Sequence, residues 1–285
     1  MSSGGIRNRT LEQLQKAEYR QPLGFGLEVR LRGNSRGNNT LDKEIEHSSI
    51  FGESGTNNVT TTLRTFGLSP LAPNDFIDYT VSAEQWFITS DNANDTLAGT
   101  GAQKVQLVGL DGDWNRISET VDMNGQTGVL TTRTDWFRIN KIFVVQVGSG
   151  QTNEGTLFIT NTTDTQTAGV PDNIVYSNIL PEYSAMQLFT YSVPDGFNFE
   201  YVFGNQYTNF TESKPGIFQE YYRDESIVGE TLIRSFTNLQ TVGNISYNFN
   251  SAVGWYGRVT IEGRIQGTVG TNTASIYYPF TIWKA

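Results

Sequence analysis

After Gly26 no long stretch of the chain repeats its apolar residues at the helical period, which argues against a helical body. Short apolar or alternating runs stand there instead: "EQWFITS", "QKVQLVGL", "RINKIFVVQVG", "GTLFIT", "AMQLFTYSVP", "FNFEYVFG", "IFQEYYRD", "TLIRSF", "GRVTIEGRIQG" and "SIYYPFTIW". Turn-rich pieces such as "GLDGD", "MNGQTG", "GSGQTNEG", "VPDG" and "VGTNTAS" separate them. Many short strands at this spacing predict an all-β protein, and we expect one or two jelly-roll-like β-sandwiches. The 13 Tyr and 17 Phe suit a pleated, half-buried surface, and the 29 Gly supply turns.

The N-terminus reads differently. "TLEQLQKAEYR" (10–20) places Thr10 and Gln13 at capping-box spacing, with Leu11, Leu14 and Ala17 along one face. That predicts a helix of about three turns, too short to persist alone. "QPLGFG" follows, in which Pro22 ends the helix and Gly24 and Gly26 let the chain turn. Residues 1–26 are therefore expected to form a helical arm that orders on a partner, with Leu11, Leu14, Ala17 and Tyr19 as candidate partner-docking residues; the alternative is a frayed terminus. The polar, non-alternating "TNTTDTQTAGVPDN" (160–173) marks an internal boundary. It divides the body into halves, 27–169 and 170–285, although one continuous sandwich across the loop is an alternative.

Composition narrows the chemistry. The chain has no cysteine and a single histidine, His47 in "KEIEHSSIF". Thiol nucleophiles, thiolate metal sites and disulfides are excluded, and any histidine-based triad would have to run through His47. A net charge of −9 gains nothing from displacing counterions on nucleic acid, so no direct nucleic-acid binding and no anionic membrane partner is expected. No basic-then-apolar leader and no apolar run of about 18 residues is visible, which predicts synthesis in a cytoplasm. The sequons at Asn58, Asn161 and Asn209 then reflect Asn and Thr abundance rather than glycosylation.

"LAGTGAQKVQLVGLDGDWNRISETVDMNG" (97–125) admits three readings. As a phosphate loop it has Gly99 and Gly101 but neither a third glycine nor a following helix. As a calcium loop it has Asp111, Asp113 and Asn115 at alternating positions. However, Arg116 stands where such a loop needs glycine, and Asp122 where it needs a bidentate glutamate. As strands and turns everything fits: "KVQLVGL", a "DGDW" turn, "NRISETVDM", an "NGQTG" turn and a third strand "VLTT" form a meander. No metal and no cofactor is expected, and Arg116 should face solvent or a carboxylate. Carboxylates such as those in "YYRDES" are expected to be solvated turn charges rather than a glycosidase pair. The five Trp and many Tyr read as core and interface residues before they read as a sugar-stacking face.

The segment from "AEQWFITSDNANDTLAGTGAQKV" through "GTLFIT" resembles virion structural proteins of aquatic tailed phages, notably cyanophages, and of some large algal viruses. The resemblance rests on Asn94 to Thr96, Ala98 to Ala102, Val105 to Asp111, Trp114 to Thr120, Asn124-Gly125 and Asn153 to Gly155. A weaker echo lies in "MQLFTYSVPDGFNFEYVFG" (186–204). The resemblance implies a component of a virus particle, capsid- or tail-associated, present in multiple copies, and it brings no catalytic residues. The expected partners are other virion proteins, major capsid or tail, and further copies of the chain; the expected location is the virion. The alternative is a receptor- or carbohydrate-binding module of a tail or fibre, with a host-surface glycan as its ligand. A third reading, an enzyme, would need two carboxylates in a deep pocket.

Overall fold

Along "VQLV", Val105 and Leu107 are wholly buried while Gln106 and Val108 are half-buried, the period of a strand with one face on a core. The computed structural model describes residues 45–53, 61–201, 207–210, 216–224, 230–237, 243–245, 254–267 and 274–284, and these contain strands and turns but no helix. The expected arm, with Leu11, Leu14, Ala17 and Tyr19, lies outside the described residues.

Chain order runs β1 (Ile45–Glu53), β2 (Arg64–Thr65), β3 (Trp86–Ser90), β4 (Ala102–Asp111), β5 (Arg116–Asp122) and β6 (Val129–Leu130). It continues through β7 (Trp136–Val147), β8 (Leu157–Asn161), β9 (Gln166–Thr167), β10 (Val170–Pro171), β11 (Ser177–Ile179), β12 (Thr190–Val193) and β13 (Phe197–Tyr201). The remaining strands are β14 (Tyr207–Phe210), β15 (Gly216–Asp224), β16 (Glu230–Thr237), β17 (Gly243–Ile245), β18 (Gly254–Tyr256), β19 (Val259–Gly267) and β20 (Ala274–Lys284).

Apart from β9 and β10, which pair only with each other as a two-stranded ribbon, these strands form two sandwiches. In the first, the sheet β11-β8-β3-β6 faces the sheet β5-β4-β7. Trp86, Ile88, Leu157, Ile159 and Ile179 come from one side of its core, and Val105, Leu107, Val121, Trp136, Ile139 and Ile142 from the other. The Trp86 and Trp136 rings stack at 5.1 Å. In the second, the sheet β17-β14-β20-β13-β18, with β1 also on β20, faces the sheet β12-β19-β15-β16, with β2 on β19. Its core is more aromatic: Phe66, Phe189, Tyr191, Phe199, Phe218 and Phe280 are all buried there with aliphatic neighbours.

The body is all-β and built of sandwiches, as its alternation predicts. The boundary at 169 does not coincide with a change of sheet, because β11 pairs with β8 across it. β1 and β2 in turn pair with β20 and β19 near the other end of the chain. The first sandwich (86–179) therefore stands as an insertion between β2 and β12 of the second. The meander is also only half present. β4 and β5 form a hairpin, but Val129–Leu130 crosses to β3 in the facing sheet and β7 takes the place beside β4. The glycine turn before it makes this possible, because Gly125 at φ 61° redirects the chain out of the hairpin.

Candidate functional site

The loops at one end of the first sandwich close around Asp95, whose side chain is wholly buried. Its Oδ1 accepts the N–H groups of Ala102 (2.7 Å) and Glu154 (2.9 Å). Its Oδ2 accepts the N–H of Gly155 (2.8 Å) and the hydroxyl of Ser90 (2.6 Å). A carboxylate has about four lone-pair positions, and all are filled from within the protein. The Asp95 carbonyl also accepts the Gly125 N–H at 2.7 Å, which brings the "NG" turn into the same knot. Gly101 is required by this packing: a Cβ there would lie 2.1 Å from Asp95 Oδ1.

A second layer surrounds the knot. The buried Asn153 donates from Nδ2 to the carbonyls of Gly155 and Leu180 and accepts the Ser184 N–H. Glu154 accepts from Thr100 and Asn94, and these bonds hold its carboxyl below the usual range. Asp91 accepts the Thr156 N–H, but burial dominates and raises its pKa. The glycines that suggested a phosphate cradle are spent internally: Gly99 N–H goes to Thr96 and Gly101 N–H to Asn94, and a strand follows them. Four of the stretches that carry the resemblance thus meet at one aspartate: Ala98 to Ala102 and Asn153 to Gly155 at the carboxylate of Asp95 in Asn94 to Thr96, and Asn124-Gly125 at its backbone carbonyl.

The "DGDW" turn makes a second joint. Asp111 Oδ1 accepts the N–H groups of Asp113 and Asn115, both at 2.9 Å, so the three residues at calcium-loop spacing form a self-bonded turn. Trp114 sits at φ 66° with only 3% of its surface exposed. Its ring packs edge-on against Phe137 and beneath the Arg138 guanidinium, and its carbonyl accepts the Asp195 N–H. Arg116 is exposed, and its guanidinium lies over the Phe197 ring, 4.5 Å from the centroid. The delocalised cation finds its attraction in the ring face. The hairpin of the first sandwich is thereby docked on the "VPDG" turn of the second, joining the two segments of the resemblance.

A buried ionic cluster fixes the strap that leads into the first sandwich. Glu262 accepts from Thr65 (2.6 Å), Tyr79 (2.9 Å) and Arg264 (2.9 Å) and is nearly fully buried. Burial first, and then Glu262, push the Tyr79 hydroxyl well above its ordinary pKa. A nearby crevice lined by Tyr79, Trp86, Arg138 and Tyr176 holds only about 10 Å³, room for one water.

The other residues singled out in the sequence are placed without converging. His47 lies on β1 opposite Thr281. Asn161 is engaged within the fold, donating to Glu84 and accepting from Thr163, while Asn58 lies outside the described residues. Asp224 takes the Tyr222 hydroxyl at 3.3 Å, and Glu225 is not among the described residues. Trp86, Trp114 and Trp136 are buried core residues. Sequence reasoning missed Asp95 and Asn153; the only signal was the crowding of glycines at 99, 101 and 155 around acidic and amide residues.

No protein-family model matches the chain, and no curated protein matches it. Solved structures similar to it include that of infectious bursal disease virus Gt strain, at 9% identity and TM-score 0.22, covering 88% of this chain and 73% of that one. The VP2 subviral particle of the same virus is similar at 10% identity and TM-score 0.23, covering 87% and 74%. A lipoprotein of Bacteroides thetaiotaomicron is similar at 7% identity and TM-score 0.22, covering 94% and 99%. At such TM-scores the viral structures and the bacterial one stand equally far from this chain.

Proposed function

We propose that the protein is a structural component of a virus particle, capsid- or tail-associated, that works by subunit adhesion in multiple copies and not by catalysis. The observation that carries this reading is the convergence on Asp95. Stretches as far apart as Asn94 and Gly155 that share a pattern with virion proteins are neighbours in space, and their polar groups satisfy one another. Residues used in this way maintain a rigid shell element; they do not present chemistry to a substrate. The closed "DGDW" joint and the one-water crevice support the same reading. A glycan-binding module would stack sugar on exposed rings, whereas the three tryptophans named above are core.

The partners would be major capsid or tail proteins and further copies of the chain. Residues 1–26 would attach it, through Leu11, Leu14, Ala17 and Tyr19. Electron cryo-microscopy of intact particles should show the sandwiches as repeated density on the head or tail. Deleting residues 1–26 should leave the melting temperature nearly unchanged and abolish incorporation. Particles without this density would overturn the reading, and full occupancy by the truncated protein would overturn the arm.

A further inference from the structure

We propose that β5 pairs antiparallel with β5 of a second copy, about a two-fold axis at Glu119, to make one continuous sheet β7-β4-β5-β5-β4-β7. This rests on the multi-copy reading above and gives it an interface. β5 ends its sheet, and beyond β4 it has no backbone strand partner among the described residues. A sheet edge of that kind is a template for another strand. Arg116, Ser118, Thr120 and Asp122 are all exposed and share one face of β5.

The sequence "RISETVD" is self-complementary when it is reversed against itself. Centred on Glu119, Arg116 meets Asp122 of the second copy, Ser118 meets Thr120, and Ile117 meets Val121. Opposite charges and hydroxyl pairs then oppose each other on the exposed face, the pairings that favour one cross-strand register. Lys104 already bridges Asp122 at 3.0 Å from the neighbouring strand, so the carboxylate would sit between two cations. Arg116 keeps its stack on Phe197, because a guanidinium can stack through its face and bond through its edge. The central Glu119 is already held beneath the sheet by the N–H groups of Thr132 and Arg133, which offsets the approach of its copy. The loop carrying those donors contacts the Glu119 side chain and forms no strand pairing with β5.

Charge reversal tests the pairing on the full chain. Arg116→Asp places two carboxylate pairs across the axis, and Asp122→Arg places two cation pairs there. By sedimentation, each variant alone should self-associate roughly tenfold more weakly than the original, since two attractive pairs become repulsive. An equimolar mixture of the two restores both opposite-charge pairs and should recover association, which also shows that both variants fold. Because the chain has no cysteine, Ser118→Cys with Thr120→Cys should give a disulfide-linked dimer on oxidation. If the variants associate like the original, or the mixture gains nothing and no disulfide-linked dimer forms, the β5 interface is wrong. Association of the original chain that survives these changes would leave the multi-copy reading standing. A chain that is monomeric, forms no cross-link and is absent from particles would remove both.

Discussion

The two sandwiches bury similar β faces but are held by different means. The first closes its loop end on one carboxylate with four inward donors and stacks two tryptophans through its middle. The second relies on ring against ring: Tyr191 and Phe280 lie 4.6 Å apart, Phe199 and Phe280 4.7 Å, and Phe189 and Phe218 5.3 Å. Hydrogen bonds demand direction, while apolar contact demands mainly volume. The first region should therefore tolerate conservative change poorly and the second tolerate it well.

The largest effect should come from Asp95→Ala. It leaves the N–H groups of Ala102, Glu154 and Gly155 without their acceptor, at about 1–3 kcal/mol each before relaxation, so we expect about 5 kcal/mol of lost stability in denaturant titrations. Asp95→Asn should recover only part of it, because the amide replaces one accepting oxygen with a donor. Phe280→Ala should cost about 4 kcal/mol by cavity formation. Phe280→Leu, followed by the same titration, should cost below about 1.5 kcal/mol. If Asp95→Asn is as mild as Phe280→Leu, the contrast between directional and volumetric packing fails.

Alkaline pH acts on both regions. Burial first, and then Glu84, raise the Tyr176 hydroxyl in the first sandwich, while burial and Glu262 raise Tyr79 in the strap that leads from the second sandwich into the first. Burial and Glu53 move Tyr183 up to about 12. A pKa raised by folding means that the folded state keeps its proton longer. The associated stability is full below the unfolded tyrosine value of about 10 and is lost as pH rises through that value toward the folded one. Melting temperatures should fall above about pH 10, while phenolate absorbance at 295 nm lags behind that of the unfolded chain.

The smallest effect belongs to the "DGDW" turn. Asp111→Ala removes the acceptor for two exposed N–H groups that water can partly replace, and should cost about 1 kcal/mol in a thermal melt. The melts of the original chain with calcium and with chelator should superimpose. A calcium-dependent rise of several degrees would return the turn to a binding role.

These contrasts also separate what could be read from the sequence from what could not. Val105, Leu107 and their alternating neighbours announce β4, because a strand's period is local. The spacing of Asp111, Asp113 and Asn115 is equally visible, and it drew attention to a turn whose bonds span only two to four residues. Asp95 stayed hidden because two of its donors come from 59 and 60 residues further on. Nothing local marks one aspartate of "SDNAND" as buried. Nor does "VLTT" reveal that it leaves its hairpin for the facing sheet, since alternation fixes a strand's face and not its partner. Trp114 at positive φ was equally unreadable, because its conformation is imposed by the Asp195 turn, Phe137 and Arg138.

The insertion of one sandwich within the other gives the chain a timetable for synthesis. β3 to β11 are contiguous, so the first sandwich can close as soon as residue 179 has emerged. β1 must wait for β20, with Ile45 finally paired to Trp283. Long-range strand pairing is slow because the loop-closure entropy falls due before the contacts form. During that interval β1 is a nine-residue strand without its partner. In a crowded polysome its ready substitute is β20 of a neighbouring chain, so swapped dimers exchanging β1 are the misfolded product to look for when expression is fast.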